Sequence, residues 1–312
     1  MPEYIHKPVL VSEVLFYLGP KSGGFYVDGT VGEGGHAEAI LDASGPEGRL
    51  FGCDCDPKLL EKARARLARF GDRVRLEKGN FAELSKWVAP ESCDGILFDL
   101  GVCSAQLEEP ARGLSVHLDG PLDMRLDPDI TVTAADIINT YSENDLTDLF
   151  WKLGGERYAR KVARAIVYER SHVRGGIRTT GQLARIVERV IPSRNLQRHP
   201  ATKVFLALRI AVNDELGALE RGLEGAVKLL KPGGRLLVIS FHSGEARIIK
   251  EFGRRNTSPW KVRGKVDVPE LREPGKPCLK WVVKDPITPS KEEVEQNPRS
   301  RSAQLRVFEK IS

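Results

Sequence analysis

YVDGTVGEGGHAEAIL, Tyr26–Leu41, decides how this chain folds. Apolar Phe25, Tyr26 and Val27 run into Asp28, then Gly29, Gly32, Gly34 and Gly35 crowd seven positions before His36 to Leu41 resumes helical spacing. This reads as a strand, a glycine-rich turn and a helix start. Glycines packed after a strand let backbone approach a ligand where a Cβ would collide, and they aim helix-start N–H groups at it. On the motif alone, an ordinary β-to-α turn remains the alternative.

Upstream, Val9 to Leu18 is expected as a short helix ending near Gly19-Pro20. Downstream, strands recur at Arg49–Cys53, Val74–Leu76 and Asp94–Phe98. Between the first two lies a helix with Asp56 as N-cap, Pro57 in the first turn and Gly71 as stop, and Phe81 to Val88 offers a short amphipathic helix. Such a βαβ series feeds a parallel sheet. The next comparable strand is Arg235–Ser240. The residues between read mainly as helices: Ala134–Thr140, Ser142–Leu153, Glu156–Val173, Thr180–Val190 and Ala201–Leu230. The last is long and apolar enough to be assigned to the sheet, which leaves about 106–199 as a helical insertion between 1–105 and 200–312. It hangs from the carboxyl end of strand four, where ligands of open α/β sheets bind. Strands at Leu279–Lys284 and Gln304–Glu309 close the chain, around a proline- and charge-rich loop, PITPSKEEVEQNPRSRS.

The 312 residues are 41% hydrophobic and 29% charged, an ordinary globular composition with no apolar run long enough to span a bilayer. MPEYIHKPVL has neither the basic nor the apolar region of a signal peptide, so a cytoplasmic protein is expected. Five cysteines without a CxxC pair suit reduced thiols better than a metal site. The net charge of +5 is unevenly spread. Pro110–Trp151 carries eight acids against Arg112 and Arg125, whereas Lys152–Arg209 carries fourteen bases against Glu156, Glu169 and Glu188. A block that rich in arginine points to a polyanion partner, with solvated helix faces as the plainer reading.

Asp54 stands about 20 positions beyond the glycines, where an acid accepts hydrogen bonds from a ribose. That pair of signals fits any adenosine-containing cofactor, NAD included. Asp28 tips the choice, because a carboxylate ahead of the glycines repels a pyrophosphate and suits the ammonium of S-adenosylmethionine. FDLGVCSAQLE puts Asp99 at a strand tip, either capping a turn or meeting the reacting groups, with Ser104 and Gln106 just beyond. SFHSGEAR brings His242 to the same edge.

These residues carry a resemblance over essentially the whole chain. HKPVL (His6–Leu10), DGTVGEGGH (Asp28–His36), DLGVCSAQL (Asp99–Leu107), RGLSVHLDGPLDMRLD (Arg112–Asp127), HPATKVFLALRIAVNDEL (His199–Leu216), SFHS and NPRSRSAQLR resemble the RsmH (MraW) family of S-adenosylmethionine-dependent ribosomal RNA methyltransferases. The resemblance implies a Rossmann-like class I methyltransferase fold, α/β with a mostly parallel seven-stranded sheet and an inserted all-helical domain. It also implies methylation of the 4-amino nitrogen of a cytidine in the decoding region of 16S ribosomal RNA in the small subunit. Cofactor contacts carry over to Gly34, Gly35, His36, Asp54, Phe81, Asp99 and Gln106, with Asp28 and Gly32 added from the turn itself. RNA contacts are expected at Arg160, Arg164, His199 and His242. Cys103 and Ala105 stand where the family usually has serine and proline, and SGEAR where it has SLEDR; activity is expected to survive both departures.

An exocyclic cytosine amine is a poor nucleophile, so in-line positioning should matter most. Asp99 is the candidate acceptor for the amine, with Ser104 second; Asp99 either takes a proton or only orients the nitrogen. No metal and no membrane are expected, and the sequence is compatible with a homodimer. A DNA amino-methyltransferase, a nicotinamide oxidoreductase and a catalytically silent cofactor-binding RNA-binding protein stay open as rival readings.

Overall fold

In the computed structural model, residues 8–192, 199–262 and 268–311 are described. His6, Lys7, Arg194 and Arg198, all used in the sequence reading, lie outside them. The chain divides into two compact units, one of residues 1–101 and 216–312 and the other Val102–Glu215.

The first unit opens with α1 (Val11–Leu18), β1 (Phe25–Asp28), α2 (Gly35–Ala43), β2 (Arg49–Asp54), α3 (Pro57–Leu67), β3 (Val74–Lys78) and β4 (Cys93–Asp99). The helical unit holds α4 (Ser104–Glu108), α5 (Ala134–Thr140), α6 (Glu143–Lys152), α7 (Ala159–His172), α8 (Thr180–Val190) and α9 (Thr202–Asn213). The chain then returns through α10 (Glu215–Leu229), β5 (Leu230–Ser240), α11 (Ser243–Thr257), β6 (Trp260–Val262), β7 (Arg272–Pro274), β8 (Leu279–Trp281), α12 (Lys291–Gln296) and β9 (Gln304–Lys310).

Seven strands form one sheet in the order β3-β2-β1-β4-β5-β9-β8. Pairing is parallel from β3 to β5, and β9 runs antiparallel to both β5 and β8. The order reverses between β1 and β4, the kind of switch point that opens a crevice at the carboxyl ends of the strands. The three adjacent strands β2, β1 and β4 all end there in an aspartate: Asp54, Asp28 and Asp99. Apolar side chains cover both faces. Val27, Phe98, Leu223 and Leu236 pack in one layer and Tyr26, Ile40, Leu97 and Leu237 in the other, as a parallel sheet buried on both sides requires. Asp56 caps α3 by accepting from Lys58 N, with Pro57 at the first position as the sequence predicts. Phe81–Val88, expected as a short amphipathic helix, holds instead a 3-10 segment at Phe81–Lys86 capped by Asn80, whose Oδ1 accepts from Ala82 N. No helix among the described residues is long and apolar enough to cross a membrane.

The expectation that Ala201–Leu230 is one helix belonging to the sheet is corrected. Asp214 adopts a left-handed conformation (φ 48°) and ends α9 by donating its N–H to Ile210 O. The two halves serve different cores: Val204, Phe205 and Leu208 of α9 bury with the helical unit, whereas Leu219, Leu223 and Leu229 of α10 bury against the sheet. The second compact unit accordingly runs from Val102 to Glu215. Asn213 locks α9 into its unit. Its Oδ1 accepts from Leu126 N, and its Nδ2 donates to Met124 O and Arg209 O, each at 2.8 Å. Within the same unit α8 starts on a capping box, Thr179 with Gln182, which stabilises such a helix by about 1 kcal/mol.

Candidate active site

The glycine turn is built by two constraints. Gly32 (φ 53°) and Gly34 (φ 85°) take left-handed backbone that other residues resist, and Gly34 sits at the N-cap of α2. Gly29 is held by packing instead. A Cβ there would lie 2.5 Å from Phe98 Cε1 and 2.9 Å from Phe81 Cβ, so the glycine leaves room for the Phe81–Phe98 ring pair, whose centroids are 4.8 Å apart. Gly35 meets Pro8 in the same way, whereas a Cβ on Gly32 would find nothing nearer than Thr30 O at 3.8 Å. Of the turn, Gly32 keeps an open side.

Backbone hydrogen bonds tie the acids to this turn. Asp54 Oδ2 accepts from Gly32 N (2.9 Å) and its Oδ1 from Asp56 N (2.9 Å). Asp28 Oδ1 accepts from Thr30 N (3.1 Å). Thr30 Oγ1 in turn accepts from Asp99 N at 2.7 Å, so the end of β1 positions the tip of β4. The sequence reading overlooked Thr30: Asp28 signals the Asx-type turn, but the bond from Asp99 N to Thr30 Oγ1 has no local signal.

His36, in the first turn of α2, is buried with its Nε2 3.5 Å from Asp99 Oδ2, too long for a good hydrogen bond. Among the described residues, His36 Nδ1, His36 Nε2 and Asp99 Oδ1 are buried polar atoms with no hydrogen-bond partner. Such atoms cost of order 1–3 kcal/mol each unless something binds them. The electrostatics are equally unsettled. Burial, together with the nearby Asp99 and Asp54 charges, pushes the Asp28 carboxyl up to about 7 against the pull of His36 and Thr30 N–H. Burial also lifts Asp54 to about 6 although backbone N–H groups oppose it. Burial pulls the His36 pKa down, but the Asp99 and Asp28 carboxylates overcome it and the net direction is up. Three carboxyl groups at adjacent strand ends, two of them beside one imidazole, make an acidic site suited to a cationic ligand.

The structure thus gathers Asp28, Gly32, Gly34, Gly35, His36, Asp54, Phe81 and Asp99 at one edge of the sheet unit. His242, two residues beyond the end of β5 at that edge, caps α11. Its Nδ1 accepts from Gly244 N, Glu245 Oε2 accepts from Phe241 N and His242 N, and its Nε2 is buried. The remaining site residues belong to the helical unit. Ser104 and Gln106 are buried in the first turn of α4, where Gln106 Oε1 accepts from Cys103 N (3.1 Å) and the Cys103 thiol takes the N-cap place usual for serine. Arg160 and Arg164 lie exposed on α7, Arg164 with Glu143 at 3.5 Å. His199 is engaged inside the unit: its Nδ1 accepts from Ala201 N and its Nε2 lies 2.8 Å from Glu188 Oε1, which leaves neither nitrogen for RNA in this arrangement.

A parallel sheet reversing between β1 and β4, an antiparallel β9 beside β5, a glycine turn after β1 and an acid ending β2 define a Rossmann-like methyltransferase. Residues 3–311 match the model of the MraW methylase family, and the chain belongs to that family. It is 48% identical to a protein of Thermomicrobium roseum named ribosomal RNA small subunit methyltransferase H, over 98% of this chain and 94% of that one. A protein of the same name from Carboxydothermus hydrogenoformans is 47% identical over 99% of both chains.

Proposed function

We propose that this chain transfers a methyl group from S-adenosylmethionine to the exocyclic 4-amino group of a cytidine in the decoding region of 16S ribosomal RNA, acting in the cytoplasm on the small subunit. The name of its relatives supports ribosomal RNA as substrate. The observation that carries the chemistry is Asp99. Its backbone N–H is held by Thr30 while its Oδ1 is buried without a partner, an acceptor built into a site and left unused.

The residues fit S-adenosylmethionine. Orphaned polar atoms, an acidic balance and the open side of Gly32 suit a ligand with an ammonium, a sulfonium and ribose hydroxyls. Asp28 would hold the ammonium. Asp54 would accept from the ribose, since each carboxylate oxygen has a further lone pair beyond its backbone N–H. Gly34, Gly35 and His36 would frame the start of α2, and Phe81 would give the adenine an apolar wall. When bound, S-adenosylmethionine supplies an electrophilic methyl carbon on a positively charged sulfur.

Asp99 accepts a hydrogen bond from the amine through Oδ1, which favours a pyramidal nitrogen with an available lone pair. His36 Nε2 stands beside it, 3.5 Å from Asp99 Oδ2. Orientation of this kind contributes about 7–11 kcal/mol where reacting atoms are held in line. Ser104 as a second contact to the amine and Gln106 as a cofactor contact rest on the sequence motif. The sheet unit is assigned to the methyl donor and the helical unit, with its basic α7, to RNA phosphates.

The test is incubation with isotopically labelled methyl donor and small subunits lacking the modification, followed by nuclease mapping. Label on one cytidine amino group is expected. Label on another base, on protein, or nowhere would overturn the reading.

A further inference from the structure

The outward side of α7 carries two chemistries in one stripe. At about 100° per residue, Arg160, Lys161, Arg164, Tyr168 and His172 fall within an arc of about 120°. All five are exposed, while Val162, Ala163 and Ile166 bury the opposite side in the unit's core. The stripe is basic toward its N-terminal end and aromatic toward its C-terminal end. From Arg160 to His172 it runs about 18 Å at the rise of an α-helix.

Folding does not account for the aromatic end. Tyr168 is 62% exposed, and Tyr141, Trp151 and Tyr158 of the same unit are exposed as well. The Tyr168 ring is nevertheless braced. His172 stacks on it with centroids 4.2 Å apart and planes 29° from parallel. The imidazole is fixed in turn, its Nδ1 lying 2.7 Å from Tyr168 O and 3.0 Å from Ser171 Oγ. A carbonyl oxygen only accepts, so Nδ1 carries the proton. Two rings are therefore ordered before anything binds, which lowers the entropy cost of using them.

Guanidinium and ammonium groups followed along one helix face by an ordered aromatic pair match a single strand of RNA. Cations follow the phosphates, and a ring takes the face of an unpaired base. We propose that the C-terminal half of α7 is a base-stacking platform, on which the Tyr168–His172 pair receives an unpaired base of the RNA whose phosphates lie along Arg160, Lys161 and Arg164. The proposal rests on RNA being the partner in the proposed function. It adds that the contact takes a single-stranded stretch with little base preference, since a π-face carries no donor and acceptor code.

The probe is a fluorescein-labelled oligouridine of about ten nucleotides, followed by anisotropy over a range of salt concentrations. Tyr168→Ala should raise Kd roughly 5- to 150-fold, the range of one lost base stack, with the slope of log Kd against log salt unchanged. Tyr168→Phe should bind like the parent. Arg160→Ala should instead flatten the slope by about one unit. Unchanged binding by Tyr168→Ala overturns the platform, as does an equal loss in Tyr168→Phe, which would mean a hydroxyl contact. Loss on whole small subunits with none on oligouridine also overturns it, in favour of a protein contact. Methyl transfer by the parent is measured on small subunits in parallel. Absence of transfer there counts against the proposed function, whereas the oligouridine binding decides the platform by itself.

Discussion

Asp28→Asn separates the demands of folding from those of binding at the candidate site. The carboxyl is buried, and its pKa rises from 3.8 to about 7. A buried acid with a raised pKa favours the folded state in its protonated form. Below the unfolded value it costs nothing, and as pH rises through the folded value its charge is forced into the interior, so stability falls. At 1.36 kcal/mol per unit, about three units amount to about 4 kcal/mol above pH 7. Asparagine keeps the acceptor for Thr30 N but adds amide donors that need partners, which costs about 1–2 kcal/mol. The ligand-free variant should therefore be more stable than the parent by about 2–3 kcal/mol at pH 8.5 and less stable by about 1–2 kcal/mol near pH 4. Urea melts at several pH values, followed through Trp87, which stacks on Phe51 in the sheet unit with centroids 5.8 Å apart, measure this directly. Calorimetry with S-adenosylmethionine should show the reverse, an affinity loss of roughly 10- to 100-fold with the lost ammonium partner. A variant less stable at every pH, or a gain equal at pH 4 and pH 8.5, would refute the titration argument. Unchanged donor affinity would remove Asp28 from the binding site.

Further expectations concern other parts of the molecule. Asp99→Ala should reduce methyl transfer by about 10²–10⁴-fold, and full turnover would remove Asp99 from the mechanism. Charge reversal at Arg160 and Arg164 together should weaken RNA binding and lower its salt dependence while leaving donor affinity alone; an unchanged salt slope would sink the phosphate assignment. Asn213→Ala removes the side chain that bonds Leu126 N, Met124 O and Arg209 O. Urea unfolding should show the helical unit losing about 2–4 kcal/mol, and a loss below about 0.5 kcal/mol would mean that water replaces the amide without cost. Cys103→Ser exchanges a weak sulfur cap of α4 for a good one and should stabilise the first turn by a few tenths to about 1 kcal/mol, seen as slower amide hydrogen exchange over Ser104–Leu107.

The placement of much of the candidate site was legible before the fold was known. Asp28, Asp54 and Asp99 each close an apolar run, so a strand reading alone puts them at strand ends, and the glycine spacing marks the turn between. What escaped the reading depended on contacts distant in sequence. Thr30 holds Asp99 across 69 positions, and nothing local to either residue announces that bond. Gly29 reads as a glycine for ligand approach, yet its constraint is the Phe81–Phe98 pair. His199 and His242 look equally available in a motif, and only the folded chain shows their nitrogens engaged in capping or buried.

The α9–α10 break shows the same division most clearly. An Asn-Asp pair inside a long helical pattern is a local stop signal, because both residues tolerate left-handed backbone. Whether such a pair ends a helix depends on what the flanking apolar stripes meet, and here they meet two separate cores. The βαβ series, the glycine turn after β1, the acids at strand ends and the family were readable in the sequence, because each is written in local periodicity or in an ordered motif. Tertiary structure decided the unit boundaries, the bond from Thr30 to Asp99, the raised pKa of Asp28 and the exposure of the Tyr168–His172 pair. Those depend on burial and on which distant residues share a neighbourhood, and burial is a property of the packed chain rather than of any segment of it.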